Sequence, residues 1–92
     1  MKEIQQVMEN NETMLADGFE AAIIGLDTSN DVFRVVYDKD KMVDILIADN
    51  MTYGQAMEYL EYNVFNTYVG EGTPIYVHGG SHERVLELIS QL

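Results

Sequence analysis

The side chains best suited to molecular recognition fall on one side of a segment that begins near Tyr53. Thr52, followed three residues later by Gln55, forms a capping-box pattern that predicts a helix over residues 53–67. At about 100° per residue, one side of this helix is apolar, and the opposite side combines carboxylates with aromatic rings. Aromatic residues are enriched at binding hot spots, so this side is a candidate partner-binding surface. Its members are Glu58, Tyr59, Glu61, Tyr62 and Phe65.

Two other interpretations of this surface stay open. The helix could lie between two layers and bury both of its sides, or its aromatic rings could cover the edge of a sheet. In either case the rings would belong to the fold and not to an interface.

A second candidate site lies at the glycine pair before the last predicted helix. Gly79 and Gly80 precede Ser81, which can cap a helix, and the free amides at a helix N-terminus can bind an anion. With Arg84 and His78 nearby, these residues form a candidate site for a small nucleotide-like anion. The stretch lacks the Gly-Lys-Ser/Thr ending of a P-loop, so an ordinary turn is the competing interpretation.

No spacing of titratable residues favours an enzyme or a metal site. His78 and His82 stand on either side of the glycine pair, so they do not share a helical face as the paired ligands of a zinc protease do. Asp38, Asp40 and Asp44 are separated by lysines and lack the ligand spacing of an EF-hand, so capping and solvation explain them better. We therefore expect a protein that is not an enzyme, with no catalytic residues, no metal and no cofactor.

The charge balance limits the classes of partner. Five Lys and Arg residues stand against sixteen Asp and Glu, which gives a formal net charge of −11. Such a surface repels a phosphate backbone, so direct nucleic-acid binding is disfavoured. The longest apolar run, residues 21–26, is too short to span a membrane, and the polar first residues do not resemble a signal peptide. With no cysteine for disulfides, we expect a soluble intracellular protein without a membrane partner.

Hydrophobic periodicity predicts four helices that would position these side chains. They cover residues 2–16, 39–49, 53–67 and 81–92. Asp38 is expected to cap the second helix, because its carboxylate can accept hydrogen bonds from the first free amides. The apolar residues of the second helix spread over a wide arc, which predicts contacts on more than one side.

Runs of β-branched and aromatic residues predict three strands. Residues 19–26 and 32–37 are expected to form a hairpin, and residues 75–78 a third short strand. In the second strand, the face that carries Arg34 is expected to lie toward solvent. The predicted class is α+β, with the order α-β-β-α-α-β-α in a single small domain over residues 1–92. The hairpin and the third short strand would be covered by helices.

Four stretches of the chain resemble a group of small proteins encoded by tailed bacteriophages. They are residues 17–25, 34–38, 51–59 and 68–75, the last of which contains the signature Tyr-Val-Gly-Glu-x-Thr-Pro. The similarity covers about residues 15–78, and members of the group often end soon after the Thr-Pro strand. Residues 81–92 are therefore expected to be a C-terminal helical extension. The group has no established activity to carry over, so the resemblance implies only an origin in the cytoplasm of a phage-infected bacterium.

The leading hypothesis is a non-enzymatic acidic accessory protein that binds a bacterial host protein and inhibits or redirects it. Because carboxylates on a rigid helix can stand in for phosphates, the expected partner has a basic nucleic-acid-binding surface, as a host defence protein would. The alternative is a homo-oligomer that binds or sequesters a nucleotide-like anion near Ser81. The apolar terminal helix and the aromatic face exceed what three short strands can cover, so we also expect a homodimer.

Overall fold

The computed structural model describes residues 12–92 and shows a sheet of three strands with three α-helices. A 3-10 turn precedes the sheet, and a π-helical turn, here called the π turn, continues the second helix. The α+β class is confirmed, and the order of elements from the hairpin onward is the predicted one. The bounds are β1 (Ile23–Asp27), β2 (Arg34–Asp38), α1 (Lys39–Ala48), α2 (Tyr53–Leu60), the π turn (Glu61–Phe65), β3 (Ile75–Val77) and α3 (His82–Ser90).

The helix predicted over residues 2–16 lies mostly outside the described residues. Residues 12–16 form no helix, so the predicted end of that helix is wrong. Long-range hydrogen bonds hold this segment instead: the Thr13 hydroxyl donates to the Phe33 carbonyl at 2.8 Å, and the Met14 amide donates to the Gly72 carbonyl at 3.1 Å. Partners that are distant in sequence thus replace the bonds that a local helix would supply.

The first strand begins later than predicted. Gly18 takes a φ of +91°, a conformation that glycine adopts without a Cβ clash, and a 3-10 turn at Glu20–Ala22 follows. Phe19 and Ala22 stand three residues apart at this turn and are both buried, so it contributes to the core without pairing in the sheet. The strand proper starts at Ile23.

Strand β2 lies at the centre of the sheet, antiparallel to β1 and parallel to β3. A parallel pair needs a crossover connection, which α1 and α2 supply. Val35 and Tyr37 are buried, whereas Arg34 and Val36 are only partly buried, so the predicted alternation is confirmed. On the buried face of β2 the core contains Met42, Val43 and Leu46 from α1 with Ala56 and Leu60 from α2.

The predicted caps of α1 and α2 are present. The buried Asp38 carboxylate accepts hydrogen bonds from the amides of Asp40 at 2.9 Å and Lys41 at 3.4 Å. At the start of α2, the Gln55 amide donates to the Thr52 hydroxyl at 3.1 Å, and the Thr52 amide donates to the Gln55 side chain at 3.0 Å. These bonds satisfy amides that have no partner inside a helix, which fixes where α1 and α2 begin.

The half-buried phenol of Tyr76 makes the unfolding free energy depend on pH in the alkaline range. Burial raises the pKa of Tyr76 from 10.0 to about 12. The stability gained from the neutral phenol is therefore complete below about pH 10 and is lost as the pH rises toward 12. We predict that Tyr76→Phe reduces the fall in unfolding free energy between about pH 10 and pH 12, measured by urea denaturation.

Tyr62→Phe is the control for this measurement, because the Tyr62 side chain is exposed. It should show the wild-type fall in unfolding free energy over the same pH range. An equally steep fall in Tyr76→Phe would contradict the prediction.

Candidate functional site

Four of the predicted partner-binding residues lie together on the outer side of α2 and the start of the π turn. We call them the acidic-aromatic face: Glu58, Tyr59, Glu61 and Tyr62 are all exposed. The opposite side of α2 packs into the core through Ala56 and Leu60, which are fully buried. The helix therefore holds these four side chains on a rigid support and turns them away from the sheet.

Phe65 is separated from the other four predicted members. A continuous α-helix would rotate Phe65 about 140° away from Leu60. The α-helix instead ends at Leu60 and continues as the π turn, whose wider turns bring residues five apart to nearly the same side. Phe65 therefore packs against the core, with its ring centroid 5.1 Å from that of Tyr76. For this ring, the interpretation that it belongs to the fold is the correct one.

Two further tyrosines, at the start of α2 and after the π turn, are exposed. Tyr53 opens α2 and Tyr68 follows the π turn, and their side chains are 66% and 76% exposed. The sequence pattern did not assign either of them to a surface. The signal available for Tyr68 was its place just before the glycine cluster, where a chain leaves a helix and tends to be exposed.

Tyr59 also borders a groove on the side of α2 that faces the start of the described chain. This groove has a volume of about 250 Å³ and runs between Tyr59, Asn63 and Val64 on one side and the segment from Met14 to Asp17 on the other. Its lining is mainly apolar. The acidic-aromatic face is thus a convex charged surface with an apolar groove at its edge.

The second predicted site, at Gly79, Gly80 and Ser81, contains carboxylates of the chain itself. The Ser81 hydroxyl accepts a hydrogen bond from the Arg84 amide at 3.1 Å, so Ser81 caps α3 as expected. The Arg84 guanidinium donates to the Asp40 carboxylate at 3.3 Å. A small anion at this position would have to displace Asp40 from Arg84.

Two more observations place negative charge beside the glycine pair. His78 Nδ1 lies 3.7 Å from the other Asp40 carboxylate oxygen. A Cβ on Gly79 would come within 3.4 Å of the Asp38 carboxylate and would collide with Ile24 at 2.9 Å. The Ile24 atom is the Cδ1 at the end of a flexible side chain, so it can move aside.

Asp27 and Asp38 have local structural contacts. The Asp27 carboxylate accepts hydrogen bonds from the Ser29 hydroxyl at 2.6 Å and the Ser29 amide at 3.0 Å, which lower the pKa of Asp27 and order the hairpin loop. Asp38 caps α1, and Asp44 is exposed. Across residues 12–92, no group of three or more His, Asp or Glu residues is placed to hold a metal ion.

Comparisons with other proteins add no functional information. No protein-family model matches the chain, and no curated protein or solved structure matches it. The resemblance to tailed-bacteriophage proteins therefore stays an expectation. Within residues 12–92, none of the helices has both the length and the apolar character that crossing a membrane requires.

The separation of Phe65 from Tyr62 gives a stability prediction. Phe65→Ala should lower the unfolding free energy by about 2–3 kcal/mol, less than for a fully buried phenylalanine, because its ring is half-buried against Tyr76. Tyr62→Ala should change it by no more than about 0.5 kcal/mol, because the side chain is exposed. Urea denaturation of both variants measures the difference. Equal losses of unfolding free energy would contradict an arrangement in which the π turn directs Phe65 toward the core and Tyr62 toward solvent.

Proposed function

We propose that this protein is a non-enzymatic binding protein whose acidic-aromatic face contacts a basic surface of another protein. The observation that carries this proposal is the Tyr62 side chain, which is 80% exposed between the carboxylates of Glu58 and Glu61. The Tyr62 ring is exposed to water, whereas the neighbouring side chains of Leu60 and Phe65 pack in or against the core. Such exposed aromatic side chains are typical of interaction surfaces.

The chemistry of the face favours a partner rich in arginine and lysine. Carboxylates accept short, charge-assisted hydrogen bonds from guanidinium groups, and tyrosine rings attract cations through their faces. The net charge of −11 would also steer a basic partner toward the chain and speed association. The same charge disfavours a direct nucleic-acid ligand.

The phage resemblance suggests the setting in which this binding would act. We propose that the partner is a bacterial host protein with a basic nucleic-acid-binding surface, and that the chain inhibits or redirects it in the cytoplasm of the infected cell. A host defence protein fits this description. The acids of α2 and the π turn would then take positions that phosphates otherwise occupy.

Charge reversal on the face tests this proposal. We predict that immobilised wild-type protein retains a bacterial protein that the double variant Glu58→Lys/Glu61→Lys does not retain. Tyr62→Ala should weaken the binding of the retained protein by about tenfold or more, as for a residue at the centre of an interface. The measurement is capture from bacterial lysate, followed by affinity determination with the purified partner.

The matched control is Asp44→Lys/Asp49→Lys, which changes the net charge equally on exposed positions of α1 and its C-terminal end. It should retain the partner as the wild type does. Capture of the same protein in the same amount by the Glu58→Lys/Glu61→Lys variant would show that the face is not the binding surface.

Helix α3 supports the further proposal that two copies of the chain associate. Leu86, Ile89 and Leu92 are exposed, and Glu83 and Glu87 fall on the opposite side of the helix. These three apolar side chains form an uncharged stripe. Two chains of net charge −11 can meet along it without bringing carboxylates together. In a two-fold symmetric dimer, each copy contributes the same stripe to the contact. A helix this short also needs tertiary contacts to be stable in water.

Light scattering after size-exclusion chromatography measures this association. We predict a mass near twice the 10.5 kDa of the chain, and a mass near 10.5 kDa for Leu86→Glu/Ile89→Glu. Glu83→Gln/Glu87→Gln, on the other side of the helix, is the control and should keep the larger mass. A wild-type mass near 10.5 kDa would exclude the dimer.

A further inference from the structure

A cleft of about 380 Å³ lies between β3 and the segment that follows the π turn. Phe65 and Tyr68 form one side, Thr73 and Tyr76 form the other, and two cationic residues, Arg34 and Lys39, complete it. Its volume falls within the range of small-molecule sites, roughly 300–1,000 Å³. None of these residues belongs to the acidic-aromatic face.

The lining of this cleft has the opposite charge to the rest of the chain. Of the five Lys and Arg residues in the sequence, two lie here, and no acid from residues 12–92 lines it. Three other clefts formed by described residues each include at least one carboxylate, among them Asp17, Asp31 and Asp40. In a chain of net charge −11, a cleft lined by cations without acids is a local exception.

Arg34 is already held in place in this cleft. Its Nε–H donates to the Thr73 carbonyl at 2.6 Å, and one terminal nitrogen donates to the Pro74 carbonyl at 3.5 Å. A guanidinium has five N–H donors, so three are left for a ligand. These three N–H groups lie in the plane of the guanidinium, whose geometry matches that of a carboxylate or phosphate.

Lys39 adds a second positive charge from another direction. It is the first residue of α1, and its Nζ lies 5.0 Å from the centroid of the Phe65 ring. Helix N-termini favour acids, because the helix dipole is positive there, so a lysine at this position adds to the attraction for an anion. Among the described residues, the ion pairs closer than 4.0 Å are those of Asp40 with Arg84 and His78, so neither cation of the cleft has a carboxylate at that distance. Asp27, which faces Arg34 across the β1–β2 pair, feels its charge only as a minor effect on its pKa.

Aromatic rings form the surface between the two cations. Phe65 packs on Tyr76 at 5.1 Å, and Tyr68 stands at the edge of the cleft with 76% of its side chain exposed. Such rings stack on planar ligands. We propose that this cleft binds an anion that carries an aromatic ring, with the anionic group on Arg34 and Lys39 and the ring against Tyr68 and its neighbours.

Adenosine monophosphate is the probe, because it combines a planar base with a phosphate, and calorimetry on the full chain measures its dissociation constant. We predict measurable binding of this nucleotide and weaker binding of inorganic phosphate or adenosine alone. Lys39→Gln should weaken binding by about tenfold or more, the loss expected for one charge-assisted contact. Arg34→Gln should do the same where thermal melting shows that it stays folded.

Lys41→Gln is the matched control, because Lys41 is an exposed lysine two residues further along α1 and does not line the cleft. It should leave the dissociation constant unchanged within about twofold, a difference well under 1 kcal/mol. Tyr68→Ala should weaken binding of the nucleotide but not of inorganic phosphate.

Three outcomes would overturn the proposal: no binding of the nucleotide at millimolar concentration, equal weakening by Lys41→Gln, or equal affinity for inorganic phosphate and the nucleotide. Binding of an acidic peptide without binding of the nucleotide would also overturn it, because the cleft would then take a chain and not a small molecule. Each of these results leaves the protein-capture experiment unaffected, since that experiment depends on Glu58, Glu61 and Tyr62.

Discussion

Burial of Tyr37 at the centre of the sheet connects the separate parts of the fold. Its side chain is fully buried, and its backbone pairs with Ile23 in β1 and with Tyr76 in β3. The hydroxyl accepts a hydrogen bond from the Ala16 amide at 2.8 Å. A buried phenol oxygen needs such a partner. Tyr37 therefore joins both neighbouring strands through its backbone and the segment that precedes the sheet through its side chain.

The orientation of both candidate surfaces follows from the aromatic contacts that begin at Tyr37. Its ring lies 5.7 Å from that of Tyr76, and the Tyr76 ring lies 5.1 Å from that of Phe65. To reach Tyr76, Phe65 must point toward the sheet, and the π turn allows this while Tyr62 remains outside. Lys39 then lies over the Phe65 ring on the cleft side. The acidic-aromatic face and the cationic cleft are therefore two consequences of the same set of contacts.

Local chemistry predicted much of this fold. The carboxylate of Asp38 and the Thr52–Gln55 pair mark helix starts, and the alternation along β2 marks its buried face, because each signal acts over a few residues. The π turn was not predictable in this way, since apolar residues at positions 60, 64 and 65 suit an α-helix as well as a π turn. The choice depends on Tyr76, which reaches Phe65 only after β3 pairs with β2.

The candidate sites also divide into one that depends on neighbouring residues of a single element and others that depend on contacts between distant elements. The charge and aromatic content of α2 are properties of one element, so four members of its face could be predicted together. Arg34 and Lys39 lie at opposite ends of β2, and they line one cleft only because β3 and the segment after the π turn come between them. The pairing of Arg84 with Asp40 likewise joins α3 to α1. The sequence alone therefore could not show that a carboxylate already contacts Arg84 at the predicted anion site.

The distribution of charge separates the acids that the fold uses from those that it does not. A net charge of −11 opposes compaction through self-repulsion, so each acid that the fold uses should have a contact that offsets its cost. Asp27, Asp38 and Asp40 have such contacts, with Ser29, the amides of α1 and Arg84 respectively. Among the described residues, the carboxylates of Glu58 and Glu61 have neither a hydrogen bond nor an ion pair. Asp44 and Asp49 are exposed and lack such contacts too, so the exposed Tyr62 ring between Glu58 and Glu61 is what sets this pair of acids apart.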